Sequence, residues 1–166
     1  YGTPDDVQNI PHPIIGYMGT INSTRLDGEL LYQIISQRPD YSFVFTGPED
    51  DIFRRDRIHS LKNAYFTGQK KVDELPAYIA AYDVCINPQM VNKITNGNYP
   101  LKIDEYLAMG KPTVATSTHT MRNIFTGHTH LAINPEEWLA AIDRAVTEAD
   151  DKELAKQRIA FAETHS

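Results

Sequence analysis

With 166 residues, 41% hydrophobic and 23% charged, the chain has the size and balance of one well-packed globular domain rather than two. Its formal net charge of −6 argues against a general nucleic-acid binder, which needs clustered Lys and Arg, but leaves room for a small phosphate ligand held by a few local cations. No apolar run approaches the ~20 residues of a membrane span, no signal peptide is visible, and the single Cys85 excludes an internal disulfide and fits a reducing compartment.

The chain opens at Tyr1 in a Pro-rich run (Pro4, Pro11, Pro13), so residues 1–13 read as an inter-domain linker. Ile14–Gly19 reads as a buried first strand ending in glycine, followed by the loop Thr20–Leu26. A helix from Asp27 carries Leu30, Leu31, Ile34 and Ile35 at helical spacing, and Pro39 closes it. Tyr41–Thr46 is a second strand, ended by Gly47-Pro48. Residues 50–61 read as a polar, Arg-rich helix burying Ile52, Phe53, Ile58 and Leu61, with the Asp50-Asp51 pair at its start.

Ala64–Thr67 is a third strand before Gly68, and Asp73 is the expected cap of a helix burying Leu75, Tyr78, Ile79 and Tyr82. Val84–Ile86 is a fourth strand, and Gln89–Tyr99 reads as a loop. Pro100 opens a helix that Gly110 stops, and Pro112 prevents its continuation. Thr113–Thr116 follows as a fifth strand, Thr118–Phe125 is weakly helical, and Leu131–Ile133 is a sixth strand. Asn134 and Glu137 have capping-box spacing before a helix with Trp138, Leu139, Ile142 and Val146. A last helix carries Leu154, Ala155, Ile159 and Ala162 and runs on without a stop signal, so the sequence reads as an excised piece of a longer protein.

Strands alternating with helices about six times predict an α/β domain with a doubly wound parallel sheet, Rossmann-like, over 14–150, with the helical segment 151–166 behind it. Ligands of such sheets bind beyond the carboxyl ends of the strands, where strand order reverses. Two features on that rim carry chemistry. Gly19 lets backbone approach a phosphate, which Arg25 can reach with its forked guanidinium, although an ordinary βα turn with a solvated Arg explains the loop equally well. Lys102 sits in the first turn of its helix, against the dipole, which makes sense if an anion docks there; a solvated ion pair with Glu105 is the alternative. His128 and His130 share one strand face if extended but find no third metal ligand, and Cys85 reads as a buried, inert thiol.

The run Pro100-Leu101-Lys102-x-x-Glu105-Tyr106-Leu107-Ala108-x-Gly110-Lys111-Pro112-x-Val114-Ala115 resembles the donor-binding segment of retaining glycosyltransferases of the GT-B fold, group 1 or family 4-like. Gly16-Tyr17-x-Gly19, Arg25-x-Asp27-x-Glu29-Leu30-Leu31, Phe66-x-Gly68, Glu74-Leu75-Pro76-x-Tyr78, Asp83-Val84 and Pro88 continue the likeness in order, over about 14 to 165. It implies the C-terminal half of a two-domain, metal-independent hexosyltransferase, with a nucleoside-diphosphate sugar as donor substrate and no separate cofactor. Glu105 then matches the ribose ligand, while Lys102, Leu101 and Pro100 fall at the donor's phosphates or sugar. Gly19, Thr20 and Arg25 lie beside the diphosphate, with Arg25 and Lys102 as the catalytic cations, and Gly68 and Gln69 face the nucleobase.

The likeness further implies an N-terminal acceptor domain in the same chain, a polysaccharide or glycolipid acceptor, and a cytoplasmic enzyme held at the inner face of the membrane through that domain. A non-catalytic nucleotide-binding module, or an epimerase or phosphorylase on the same scaffold, stays open. Two departures stand out. Gly97 occupies the position, eight before Glu105, where many relatives are acidic, and Thr20 replaces an Arg after the strand-one glycine.

Overall fold

A computed structural model describes residues 1–164; His165 and Ser166, the end of the expected helical segment 151–166, lie outside the described residues. Six strands form one parallel sheet: β1 (Ile14–Met18), β2 (Ser42–Thr46), β3 (Ala64–Gly68), β4 (Val84–Asn87), β5 (Thr113–Thr116) and β6 (His130–Ala132). Their spatial order is β3-β2-β1-β4-β5-β6, so the chain winds outward from β1 and then outward again from β4. All pairings are parallel, with Ile14–Met18 in register against Ser42–Thr46 and Ile15 and Gly16 against Val84 and Cys85. Central strands covered on both faces need apolar side chains at every position, which is why β1, β2 and β4 read as unbroken hydrophobic runs.

Among the described residues eight α-helices accompany the sheet: α1 (Gly28–Ser36), α2 (Asp51–Arg54), α3 (Leu75–Ala81), α4 (Lys93–Gly97), α5 (Leu101–Ala108), α6 (His119–Ile124), α7 (Pro135–Glu148) and α8 (Lys152–Glu163). On one face α1 and α7 bury Leu31, Ile34, Trp138 and Ile142 against Ile15, Phe43, Phe45 and Ile86. On the other, Tyr78, Tyr82, Tyr106 and Leu107 cover Val44, Cys85 and Ala115. The capping box at Asn134 and Glu137 is formed, and Gly110, at φ +76°, ends α5 where the sequence predicts. Residues 1–13 lie on the second face: Val7 and Ile10 are buried there, and Asp6 pairs with Lys70 at 2.8 Å.

Several local expectations are corrected. Residues 50–61 are not one helix: Asp50 caps α2, and Asp56 accepts from the Ile58 amide and starts a separate 3₁₀ turn, Arg57–Ser60. Ile52 is consequently exposed, while Phe53 and Ile58 are buried. Asp73 does not cap α3; it lies inside a 3₁₀ turn, Val72–Glu74, that runs directly into it. The Gln89–Tyr99 stretch contains α4, and β6 begins at His130, leaving Ile133 exposed. His128 therefore shares no strand face with His130. Its ring stacks on Phe161 at 3.5 Å, while His130 Nε2 meets Glu148 at 2.8 Å.

Candidate functional site

Strand order reverses between β1 and β4, so the loops leaving these two strands diverge and open a crevice at their carboxyl ends. The β1 loop is locked from both sides. Toward β2, Gly19 N–H donates to Thr46 O at 2.9 Å and Ile21 N–H to Pro48 O at 2.8 Å. Asp50 accepts from both the amide and the hydroxyl of Ser23 at 2.7 Å. Toward β4, Met90 N–H donates to Arg25 O at 2.7 Å and Asp27 N–H to Pro88 O at 3.1 Å. The approach to β2 requires glycine on both sides: Gly19 and Gly47 take φ +133° and +151°, and a Cβ at Gly47 would lie 1.9 Å from Gly19 O.

α5 enters the same crevice from the far side. Pro100 stands at its cap position and supplies no side-chain hydrogen bond, whereas Asp27, Asp50, Thr118, Asn134 and Asp151 each cap a helix with a side-chain oxygen. The start of α5 thus keeps its partial positive charge and free donors. Lys102, one residue in, lays its stem across the crevice toward Gly19, where an added Cβ would lie 2.7 Å from Nζ.

Lys102 Nζ donates to Tyr17 Oη at 2.9 Å and sits 4.4 Å from the centre of the same ring. The Tyr17 hydroxyl in turn donates to Thr20 O at 2.9 Å. Burial pushes the Tyr17 hydroxyl far up its titration range, so it stays a neutral phenol and cannot serve as counter-ion. Desolvation pulls the Lys102 pKa down to about 8, with Glu105 opposing the shift and Arg25 adding to it. Among the described residues no carboxylate reaches Lys102 or Arg25 at ion-pair distance. Two cations face each other's field, offset by Glu105 from beyond ion-pair distance.

They share a cavity of about 430 Å³. Thr20, Asn22, Arg25 and Leu26 line it from the β1 loop, Gln89 from β4, and Asn98, Tyr99, Pro100, Leu101 and Lys102 from the entry to α5, with Tyr17 at the wall. Residues far apart in sequence, Thr20, Arg25, Pro100, Leu101 and Lys102, therefore meet in one place, with Gly19 against the Lys102 ammonium. Glu105 does not join them: it is exposed and lines an adjoining apolar groove of about 310 Å³ with Val72, Leu75, Pro76 and Met109. Gly68 and Gln69 line neither hollow. Tyr17, Asn22, Gln89 and Asn98 escape sequence reasoning. Tyr17 alone carries a signal, a hydroxyl two residues before Gly19 in an otherwise apolar strand.

The six-stranded parallel sheet with its flanking helices has the architecture of one domain of a GT-B enzyme. Residues 12–148 match the family described as Glycosyl transferases group 1, and the chain belongs to that family. It is 27% identical over 157 residues to TuaH of Bacillus subtilis, assigned as a teichuronic acid biosynthesis glycosyltransferase, covering 91% of this chain and 39% of that protein. Among solved structures it superposes on Anabaena Alr3699/HepE in complex with UDP with a TM-score of 0.76 at 14% identity, over 98% of this chain and 49% of that one. The catalytic domain of the cholesterol-α-glucosyltransferase from Helicobacter pylori gives a TM-score of 0.73 at 13% identity, covering 93% of this chain and all of that one. At such identities the superpositions show the fold, and the chain spans well under half the length of TuaH.

Proposed function

We propose that this domain binds the UDP-sugar donor of a retaining glycosyltransferase. The observation that carries the reading is Lys102: a desolvated ammonium with no carboxylate partner, at an uncapped helix start, on the rim where parallel sheets bind ligands. Lys102 and Arg25 hold the diphosphate, aided by the first amides of α5 and by backbone at Gly19 and Thr20. Glu105 stands within one turn of Lys102 and accepts from the ribose hydroxyls. The apolar groove beyond it, reached from the segment after Gly68 and Gln69, takes the base.

In the transfer step the glycosidic bond to the diphosphate breaks, and negative charge grows on the leaving oxygen. Fixed cations and amides already aimed there lower the barrier without reorganising. The two side chains supply this charge themselves, so the reaction is metal-independent in this reading. The acceptor, a polysaccharide or glycolipid, approaches from an N-terminal domain across the cleft, and the relation to TuaH supports a polymer acceptor. Among the described residues no helix is long and apolar enough to cross a membrane. The proposal includes a cytoplasmic enzyme that meets the inner membrane face through its other domain.

Calorimetric titration with UDP-, GDP- and ADP-glucose tests this directly. The reading expects the UDP sugar to bind with the highest affinity; failure of all three to bind would remove it.

A further inference from the structure

Residues 1–13 read from the sequence as a linker, yet they are strapped across the second face of the domain. Turns closed by Val7 N–H to Pro4 O at 3.1 Å and Ile10 N–H to Val7 O at 3.2 Å bury Val7 and Ile10 in the core there. Where the strap meets the sheet, Asp83 accepts from the Ile14 amide at 2.7 Å and meets His12 Nδ1 at 2.6 Å. Nearer its start, Asp6 is clamped twice. Lys70 Nζ lies 2.8 Å from Asp6 Oδ2, and the Tyr78 hydroxyl donates to Asp6 Oδ1 at 2.6 Å. Lys70 directly follows Gly68 and Gln69, the turn assigned above to the base, and Tyr78 belongs to α3.

That path brings Tyr1 to the groove beside Glu105, where it joins Val72, Leu75, Pro76 and Ile79 on the α3 side and Ala108 and Met109 of α5. Tyr1 and Val72 are 84% and 83% exposed. One exposed apolar side chain is ordinary, but two on the same apolar groove mark a surface that a ligand covers. Among the described residues Glu105 is the one charged side chain in this lining, and the Lys70 ammonium is already paired with Asp6. A phosphate finds no side-chain cation here. A flat heterocycle, by contrast, buries its faces against aliphatic and aromatic surface.

Resting on the donor-site reading above, we propose that the segment 1–13 completes the nucleotide site: the Tyr1 ring packs on the donor's base, and the clamp of Asp6 on Lys70 and Tyr78 holds Tyr1 over the groove. Asp6 is thus a positioning residue, acting through the segment that carries Tyr1. Because Lys70 adjoins the turn after β3, the same clamp ties that turn to the strap.

The test compares UDP with ribose 5-diphosphate, which is UDP without its base, on the unmodified chain, Tyr1→Ala and Asp6→Ala. UDP is titrated calorimetrically, and ribose 5-diphosphate is read by its displacement of UDP. The affinity advantage of UDP over ribose 5-diphosphate is expected to fall about fivefold in Tyr1→Ala and about threefold in Asp6→Ala, the scale of one lost stacking contact. Tyr1 is too exposed for its truncation to disturb folding, so this variant decides the matter even if Asp6→Ala fails to fold. An advantage unchanged in Tyr1→Ala, including equal weakening of both ligands, overturns the assignment and leaves the donor site standing. An advantage that falls in Tyr1→Ala but holds in folded Asp6→Ala overturns the positioning role of Asp6. Absence of UDP binding to the unmodified chain removes the donor site itself, and this assignment with it.

Discussion

Lys102 and Tyr17 are joined across the switch point of the sheet: the ammonium donates to the phenol at 2.9 Å while lying 4.4 Å from the ring centre. The pair fixes a cation that, among the described residues, no carboxylate meets at ion-pair distance. Tyr17 orients Lys102 through one lone pair and the face of its ring, and its own proton is committed to Thr20 O. Because the phenol keeps that proton, the positive charge stays available to a ligand.

The first consequence is a proton taken up on binding. The free Lys102 titrates at about 8, and an anion beside it raises that value. At pH 8 UDP binding should take up about half a proton, read from calorimetry in buffers of different ionisation enthalpy. Affinity should fall as pH rises above 8, because more of the free protein must be protonated to bind. Uptake that vanishes in Lys102→Met assigns it to this group; unchanged uptake would assign it elsewhere.

Stability should move in the opposite sense to binding. The folded value near 8 lies below the unfolded value of 10.5, so between them the unfolded chain holds more protons and this group's contribution to stability rises with pH. Below 8 the charged lysine costs stability. Lys102→Met, which keeps the packed stem, should raise the melting temperature at pH 7 by a few degrees, on the order of 1 kcal/mol, and flatten the rise between pH 8 and 10.

Tyr17→Phe should separate holding the cation from supplying it. The variant loses the hydrogen bonds to Lys102 and Thr20 but keeps the ring beneath the ammonium. About 1 kcal/mol of stability should be lost, with a smaller loss of UDP affinity than in Lys102→Met, measured by denaturant melting and calorimetry.

Gly47→Ala probes the support of the β1 loop. The new Cβ would lie 1.9 Å from Gly19 O in a backbone conformation that L side chains rarely adopt. Destabilisation of at least about 2 kcal/mol is expected, together with weaker UDP binding, although Gly47 does not line the cavity. Normal affinity in a folded variant would show that the loop position does not matter to the site.

Glu105→Gln should weaken UDP more than 2′-deoxy-UDP, since the deoxy ligand lacks one of the hydroxyls at stake. Equal loss for both, by competition binding, would remove Glu105 as the ribose ligand.

The sheet was legible because strands buried on both faces carry apolar residues at successive positions, as in Ile14–Met18 and Phe43–Phe45. The break at Asp56 was not, since a capping aspartate looks like any polar residue of an exposed helix face. Apolar spacing found α8 but missed Arg158 on it, which, only 7% exposed, turns inward to donate to Gly110 O at 3.1 Å and meets Glu148 at 3.2 Å. A charge satisfied by a partner brought in by the fold leaves no periodic mark. Arg25 and Lys102 were legible from their places at a βα loop and a helix start. Their meeting in one cavity, and the turning of Glu105 into the next groove, depend on strand order and helix rotation that local sequence does not encode.

The measurement that bears most directly on the donor site is the UDP affinity of Lys102→Met against the unmodified chain at pH 7, by calorimetry. Loss of about 1–3 kcal/mol of binding free energy, the scale of a hydrogen bond to a charged group, is expected, with uridine affinity unaffected. Equal UDP affinity in the two proteins would contradict a diphosphate held at Lys102.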